Sequence, residues 1–361
     1  MSSRFFLATL FTLLAFCQAF AEQIELRDGS SLNDVSSVSV SEDGILLANG
    51  ALISLDRIRR ATIKSQEDFD RLHQQLSLDL FRLKVRILNG DYENFQPHLK
   101  KLSPVFENRS SDSAIVVNVA RFHDARIKGH FESAIQFHFK LMALTAKNEA
   151  LTQFLDSLGY RYDKESGMLG NVCPFGIPKE RLAENWASIL AAYKSLPKPH
   201  PHGLDFYFFQ LADAASATIE PEVSSNRLQL TSLEKMIIEC LNKAVDSEDA
   251  SVIEKARTSF LEHSFQQEDT DVHRALYFLV DGMLETKGET GNKNNGLLQL
   301  LRIHAEFGRR TSAISAAGLY QVSQLLRKNG SLNDAKKVAQ ELKSRYPSSI
   351  FAKQLKINTT E

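Results

Sequence analysis

The side chains best suited to chemistry in this 361-residue sequence lie between residues 160 and 202. Cys173 could act as a nucleophile if the fold placed a histidine beside it. His200 and His202 are two residues apart in a proline-rich stretch, so an extended chain would turn both rings to one side. Zinc takes three or four protein ligands, and only Asp205 stands close by in the sequence. We therefore favour an exposed linker over a metal site here, and we expect no cofactor.

Motifs that identify common enzyme classes are missing from the sequence. It contains no G-x-S-x-G, no phosphate-binding glycine loop, no H-E-x-x-H and no C-x-x-C. We therefore predict no catalytic residues and a non-catalytic protein. An enzyme with its site in the segment 160–202 is the alternative.

The first 21 residues have the pattern of a secretory signal peptide. Arg4 precedes an apolar run from Phe5 to Phe16, which is too short to span a bilayer easily. Ala19 and Ala21 place small residues at the positions that a signal peptidase reads, so we expect cleavage before Glu22. The pattern predicts export to the periplasm or the exterior. No later segment is apolar enough to be a predicted transmembrane helix.

Two cysteines, Cys173 and Cys240, remain after the predicted cleavage. In an exported protein they would form one disulfide or stay as two buried thiols, and the sequence leaves both alternatives open. The formal net charge of the whole chain is −1, so no global attraction to nucleic acid is expected. We expect the partner to be another protein or a peptide.

Residues 22–64 predict a small β-meander. Apolar residues alternate with polar ones in short runs, and Asn49–Gly50 is a strong hairpin signal. The pattern resembles a small SH3-like barrel. We favour a structural cap for the first helix pair over a dedicated ligand module.

Residues 65–353 change to a helical period, with an irregular insert at about 158–203. Near the end of this region two amphipathic helices flank a turn at Asn329–Gly330. Their apolar faces comprise Leu319, Val322, Leu325 and Leu326, then Leu332, Ala335, Val338, Ala339 and Leu342. The arrangement resembles a tetratricopeptide repeat, and Gly129–Ala134 repeats the spacing of Gly330–Ala335. The fold class is therefore predicted as mainly α, a helix-pair solenoid or irregular helical array, with a disordered tail at 354–361.

The resemblance to tetratricopeptide repeats implies a ligand groove lined by the first helix of each pair. Six positions on these first helices lie outside the apolar faces that pack against neighbouring helices, and their side chains are polar or basic. They are Lys84, His123, Arg126, Tyr320, Gln324 and Arg327. Such a groove would suit a carboxylate-bearing peptide, because arginine pairs bidentately with carboxylates. The sequence thus favours an exported interaction or scaffold protein. A purely structural spacer is a further alternative.

Overall fold

The computed structural model describes residues 22–146, 148–175, 177–215, 230–240, 247, 249–261, 265–266, 269–287 and 291–357. The predicted signal peptide, 1–21, lies outside these residues. The fold is mainly α with a small N-terminal β segment, as the sequence predicts. Contacts divide the chain into two units, 1–120 and 121–361, and the division falls inside a helix, α4 (Asp112–Lys128).

The described strands form two three-stranded antiparallel sheets in the first unit. One sheet has the order β2-β1-β6 and the other β3-β4-β5. Alternating apolar residues of β1, such as Ile24 and Leu26, face the core. Gly44 has φ +141°, and a Cβ there would lie 2.1 Å from the Ile53 carbonyl oxygen, so the β3–β4 turn requires glycine. The strands are β1 Glu22–Leu26, β2 Ser31–Val35, β3 Ser37–Ser41, β4 Gly44–Leu47, β5 Leu52–Ile53 and β6 Ile58–Thr62.

Three helices follow the sheets in the first unit. Leu80, Leu83 and Ile87 are all buried on α2, as their spacing predicts. A 3-10 turn at Leu55–Arg57 packs against this helix. The helices are α1 Gln66–Leu72, α2 Leu78–Leu88 and α3 Gln96–Phe106, with a π turn at His73–Ser77 between the first two.

In the part of the second unit that the structure describes, all regular structure is helical. No helix among the described residues is long and apolar enough to cross a membrane. A π turn at Ile303–Phe307 extends α12. The helices that follow α4 are α5 Phe131–Thr145, α6 Glu149–Ser157, α7 Lys179–Lys194, α8 His202–Ala214, α9 Ser232–Cys240, α10 Ala250–Leu261, α11 Asp271–Lys287, α12 Lys293–Arg302, α13 Ser312–Lys328, α14 Leu332–Arg345 and α15 Ile350–Ile357.

The last three helices form one apolar cluster. Gly330 takes φ +80° in the α13–α14 turn, where the sequence places a helix end. The cluster contains Ala316, Leu319, Leu342, Ala352 and Leu355. Leu332 stands at the start of α14 and is 56% exposed, although the period assigns it to the apolar face. Helix α15 continues to Ile357, past the expected helical end at 353, and 358–361 lie outside the described residues.

The irregular insert is packed and hydrogen-bonded. Its first part, between Ser157 and Lys179, contains neither helix nor strand among the described residues. The imidazole of the buried His138 bridges this segment: Nδ1 lies 2.9 Å from the Tyr160 hydroxyl, and Nε2 lies 2.7 Å from the Gly167 carbonyl oxygen. The Tyr207 hydroxyl accepts a hydrogen bond from the Leu169 amide and donates one to its carbonyl. Buried polar groups are thus satisfied without regular structure.

Gly170 brings the insert into close contact with the start of α13. A Cβ on Gly170 would lie 1.8 Å from the Arg310 carbonyl oxygen, and the Gly170 carbonyl accepts a hydrogen bond from the Ala313 amide at 3.3 Å. The Arg310 atom in this contact belongs to the backbone, so rotating a side chain cannot make room for a Cβ on Gly170. Only glycine fits this position.

We expect Gly170→Ala to lower the free energy of unfolding by about 1–3 kcal/mol, because the added methyl group forces two backbone segments apart. Glu165→Ala is the control, because Glu165 is an exposed residue of the same insert and lies outside this contact. Urea unfolding followed by circular dichroism would measure both variants. Equal stabilities of the two would contradict the close approach.

Candidate functional site

The described residues contain one cluster with the donor types of a metal site, formed by His202, Glu234 and His273. His202 Nδ1 lies 2.9 Å from Glu234 Oε1, and His273 Nε2 lies 3.0 Å from the same oxygen. Glu234 and His273 are fully buried, while His202 is partly exposed. Each residue stands in the first turn of a helix, α8, α9 or α11. One carboxylate therefore connects the starts of three helices.

Two of these helices begin with the same local motif, a threonine followed three residues later by a side chain that bonds back to it. Before α9, the Thr231 amide donates to Glu234 Oε2 at 2.8 Å, and Thr231 Oγ1 accepts from the Glu234 amide at 3.1 Å. Before α11, the Thr270 amide donates to His273 Nδ1 at 3.1 Å. Each capping side chain has a second polar atom, Oε1 in Glu234 and Nε2 in His273. These two atoms form a hydrogen bond with each other.

The hydrogen bonds determine where the charge resides in the cluster. Burial raises the pKa of Glu234, but the hydrogen bonds from His202 and His273 outweigh it and lower that pKa to about 2. The hydrogen bond to Glu234 raises the pKa of His202 against the opposing effect of burial. Glu234 is therefore an anion at neutral pH, and the helix starts around it add favourable positive potential.

A metal ion does not fit this hydrogen-bond pattern. Two histidines and a glutamate are a zinc donor set. However, His273 Nδ1 accepts the Thr270 amide hydrogen, so the ring hydrogen sits on Nε2, the nitrogen that a metal would need. Histidines that bind metals usually donate from their other nitrogen instead. We interpret the cluster as a hydrogen-bonded clamp between helices.

The structure places His200 and His202, the two metal candidates from the sequence, on different carboxylates. His200 Nε2 lies 2.8 Å from Asp205 Oδ1, and His200 Nδ1 lies 3.2 Å from the Pro197 carbonyl oxygen. Both ring nitrogens of His200 thus face acceptors. Asp205 also accepts a hydrogen bond from the Tyr193 hydroxyl. The side chain of His200 is 5% exposed, so the segment is not the exposed linker that the sequence favours.

Cys173 and Cys240 are both buried free thiols, which is the second of the two alternatives from the sequence. Burial raises the pKa of Cys173 to about 12, although a hydrogen bond with the Phe175 backbone partly opposes the shift. At neutral pH the group is a thiol, and a thiol is a poor nucleophile. The geometry of Cys173 is that of a packed apolar side chain.

The six predicted groove residues lie in different surroundings. Lys84 is in the first unit and pairs with Asp56 at 3.0 Å. His123 is buried, and its Nδ1 lies 3.4 Å from Arg126 Nη2. Burial and the charge of Arg126 lower the pKa of His123 well below its usual value.

The three predicted residues on α13 are all half-buried. Tyr320 packs on Phe351 of α15, with ring centroids 5.7 Å apart. Gln324 and Arg327 follow on the same face of the helix, one and two turns later. Helix α15 thus covers part of the face that the sequence assigns to a ligand.

An open groove of about 840 Å³ lies beside the start of α13. Arg309, Arg310 and Arg345 line it against two carboxylates, Asp271 and Glu306. Arg309 is exposed, Arg310 pairs with Asp271, and Arg345 pairs with Glu341 at 3.0 Å. The remaining lining residues are His304, Ala305, Phe307, Gly308, Ser312 and Tyr346. The groove is therefore polar, with an excess of guanidinium groups.

A smaller cavity of about 150 Å³ shares Ser312, Arg345 and Tyr346 with this groove. Of the six predicted groove residues, only Arg126 lines either cavity. The sequence interpretation missed Arg309, Arg310 and Arg345. The available signal in the sequence for a basic site was the pair Arg309 and Arg310, which follows Gly308 and shortly precedes the start of a helix. The two T-x-x-E/H motifs likewise signalled the helix starts that meet at Glu234.

Replacing His202 and replacing His138 should change the stability of the protein with opposite dependences on pH. His202 has a raised pKa in the folded state, so its contribution to stability is complete below pH 6.5, the ordinary value, and is lost as pH rises through the folded pKa. Burial lowers the pKa of His138 to about 4, so its contribution is complete above pH 6.5 and is lost as pH falls toward 4. Between about pH 8 and pH 5, we expect the loss in free energy of unfolding caused by His202→Gln to grow as pH falls. Over the same interval, the loss caused by His138→Gln should shrink by about 2 kcal/mol.

Urea unfolding of both variants and the wild type at the two pH values would check these directions, with each variant serving as the control for the other. If both costs changed in the same direction with pH, the charge assignment would be wrong.

Neither thiol should react with iodoacetamide in the native protein near pH 8, because both are buried and Cys173 stays protonated. Both should react after unfolding in urea without reductant. Intact mass spectrometry counts the added groups. Failure of the unfolded, unreduced chain to react would mean that the two cysteines are bridged.

Comparisons with protein-family models, with curated proteins and with solved structures find no match to this chain. Any assignment of function therefore depends on the side chains described above. Among them, the arginine-lined groove is open to solvent, whereas the Glu234 clamp is nearly closed.

Proposed function

We propose that this protein is an exported, non-catalytic binding protein whose arginine-lined groove receives an acidic segment of a partner protein. The groove of about 840 Å³ is the observation that supports this function most directly. Its volume falls in the range of ligand-binding clefts. Its three arginines, against two carboxylates, leave an excess of positive charge in a chain that is slightly acidic overall.

The charges of the groove favour an acidic ligand over a neutral one. Arg309 is exposed at the rim, and a guanidinium presents two parallel donors to a carboxylate. Arg310 and Arg345 hold exposed ion pairs with the chain's own carboxylates. Exposed pairs contribute little, so a partner's carboxylate can replace them at small cost. The groove therefore offers up to three guanidinium groups to one acidic segment.

Export is supported by the leader pattern at residues 1–21. The absence of catalysis is supported by the buried, protonated Cys173 and by the closed hydrogen bonding of His138 and Glu234. The polar atoms named here are occupied by contacts within the protein, and none of the three residues lines the arginine-lined groove or the smaller cavity.

Charge reversal in the groove should strongly reduce recovery of the partner. Arg309→Glu with Arg310→Glu changes the groove, and Arg59→Glu with Arg71→Glu removes the same charge from exposed positions in the first unit. The mature protein and both variants serve as bait in an envelope fraction, with quantitative mass spectrometry. We expect recovery of the partner to fall about tenfold with the groove variant only.

Both double variants should unfold within ~0.5 kcal/mol of the wild type, because the replaced side chains are exposed. Recovery should also fall as salt rises, since the attraction is between exposed charges. Equal recovery with the groove variant and the control variant would refute the proposed binding surface.

A further inference from the structure

The smaller cavity has the composition of an anion site. It is lined by two arginines, Arg126 and Arg345, by Asn171 and by three serines, and it contains no carboxylate. The other lining residues are Phe131, Ala313, Tyr346, Pro347 and Ile350. The larger groove beside it contains two carboxylates, so the two cavities differ in chemistry although they share three residues.

Three helices begin at this cavity. Phe131, Ser312 and Ile350 are the first residues of α5, α13 and α15, and all three are lining residues. The start of a helix carries a partial positive charge even where its first amides, such as that of Ala313, already have partners. The first turns of α13 and α15 contain no acidic residue, whereas α5 has Glu132. Two helix starts thus add positive potential that no side chain of their own first turn offsets.

Packing holds the walls of the cavity in place. Gly129 has φ +73°, and a Cβ there would lie 2.8 Å from the Ile350 side chain. Lys353 Nζ donates to the Ile127 carbonyl oxygen at 3.2 Å. The α4–α5 turn and the start of α15 therefore form a fixed wall. A preformed site loses less entropy on binding than one that must close.

The two arginines are held in different ways. Arg126 is half-buried and contacts His123, whose low pKa keeps that ring neutral. A neutral Nδ1 can accept from the guanidinium and orient it. Arg345 is exposed and pairs with Glu341 on the previous turn of α14. The protein thus orients the Arg126 guanidinium. The Arg345 guanidinium can leave its exposed ion pair with Glu341 and contact a ligand instead.

Asn171 adds a requirement for a donor on the ligand. Its Oδ1 is buried and has no hydrogen-bond partner among the described residues. A buried acceptor without a partner is costly, and a ligand that carries a hydrogen can satisfy it. Hydrogen phosphate carries such a hydrogen near neutral pH, whereas sulfate does not. The pocket therefore combines donors for an oxyanion with one acceptor.

We propose that this cavity, lined by Arg126, Arg345, Asn171 and the starts of α13 and α15, binds a phosphate group. The ligand is inorganic phosphate or a small phosphomonoester with a free hydroxyl group. A phosphomonoester is mainly a dianion near neutral pH and has no hydrogen on its phosphate, so its hydroxyl group would be the donor to Asn171. The rest of its organic group would extend past Ser312 into the larger groove. The site shares Arg345 with the groove proposed for an acidic segment, but phosphate binding does not require Arg309 or Arg310, so the inference stands if that function fails.

Isothermal titration calorimetry of the mature protein tests the site, with ionic strength held constant by chloride. The probes are inorganic phosphate, glycerol phosphate and sulfate. We expect a dissociation constant for phosphate below about 1 mM, and binding of sulfate at least about tenfold weaker. Arg345→Gln should weaken phosphate binding about tenfold, and Arg126→Lys should weaken it while keeping the charge. Arg327→Gln is the matched control, because Arg327 lines neither cavity.

The comparison of probes also identifies the source of the phosphate group. Tighter binding of inorganic phosphate supports the free ion, and binding of glycerol phosphate that is at least as tight supports a phosphomonoester. No heat of binding with either phosphate probe would overturn the inference. Equal binding of sulfate would overturn the phosphate assignment, and equal effects of Arg345→Gln and Arg327→Gln would overturn the location.

Discussion

The buried carboxylate of Glu234 is the interaction on which the second unit depends most visibly. Burying an isolated charge is strongly unfavourable, so this group must receive hydrogen bonds. It receives them from its own helix cap at Thr231 and from two histidines on other helices. The starts of α8, α9 and α11 are fixed relative to one another by this requirement. Because α11 begins at Asp271, beside Arg310, the clamp also positions one edge of the arginine-lined groove.

Periodicity predicted those parts of the fold that are decided locally. The alternation in residues 22–64 predicted strands, and the apolar faces of α13 and α14 predicted helices, because burial of one face sets each period. The insert was recognised only as irregular. Its order comes from contacts between residues far apart in sequence, such as His138 with Gly167 and Gly170 with Arg310. No local pattern encodes these contacts.

The site was harder to predict than the fold, since it assembles loop residues and helix starts. The repeat resemblance assigned the ligand positions to helix faces, and of these positions only Arg126 lines either of the two cavities described above. Arg309 and Arg310 precede α13, and Arg345 ends α14, so none lies on an interior helix face. His200 and His202 illustrate the same difficulty: an extended chain would turn both rings to one side, but the fold directs each ring to a different carboxylate.

The contact between Lys353 and Ile127 spans 226 residues of sequence. During synthesis, the helix that completes the smaller cavity emerges long after the turn against which it packs. Until then, the cavity beside the start of α5 and the Arg126 side chain lacks the wall that α15 provides. A pairing this distant forms late in folding, because closing a long loop costs entropy before any contact repays it. Occupancy of the cavity would thus require that the α4–α5 turn and α15, which lie near the two ends of the second unit in sequence, have already packed together.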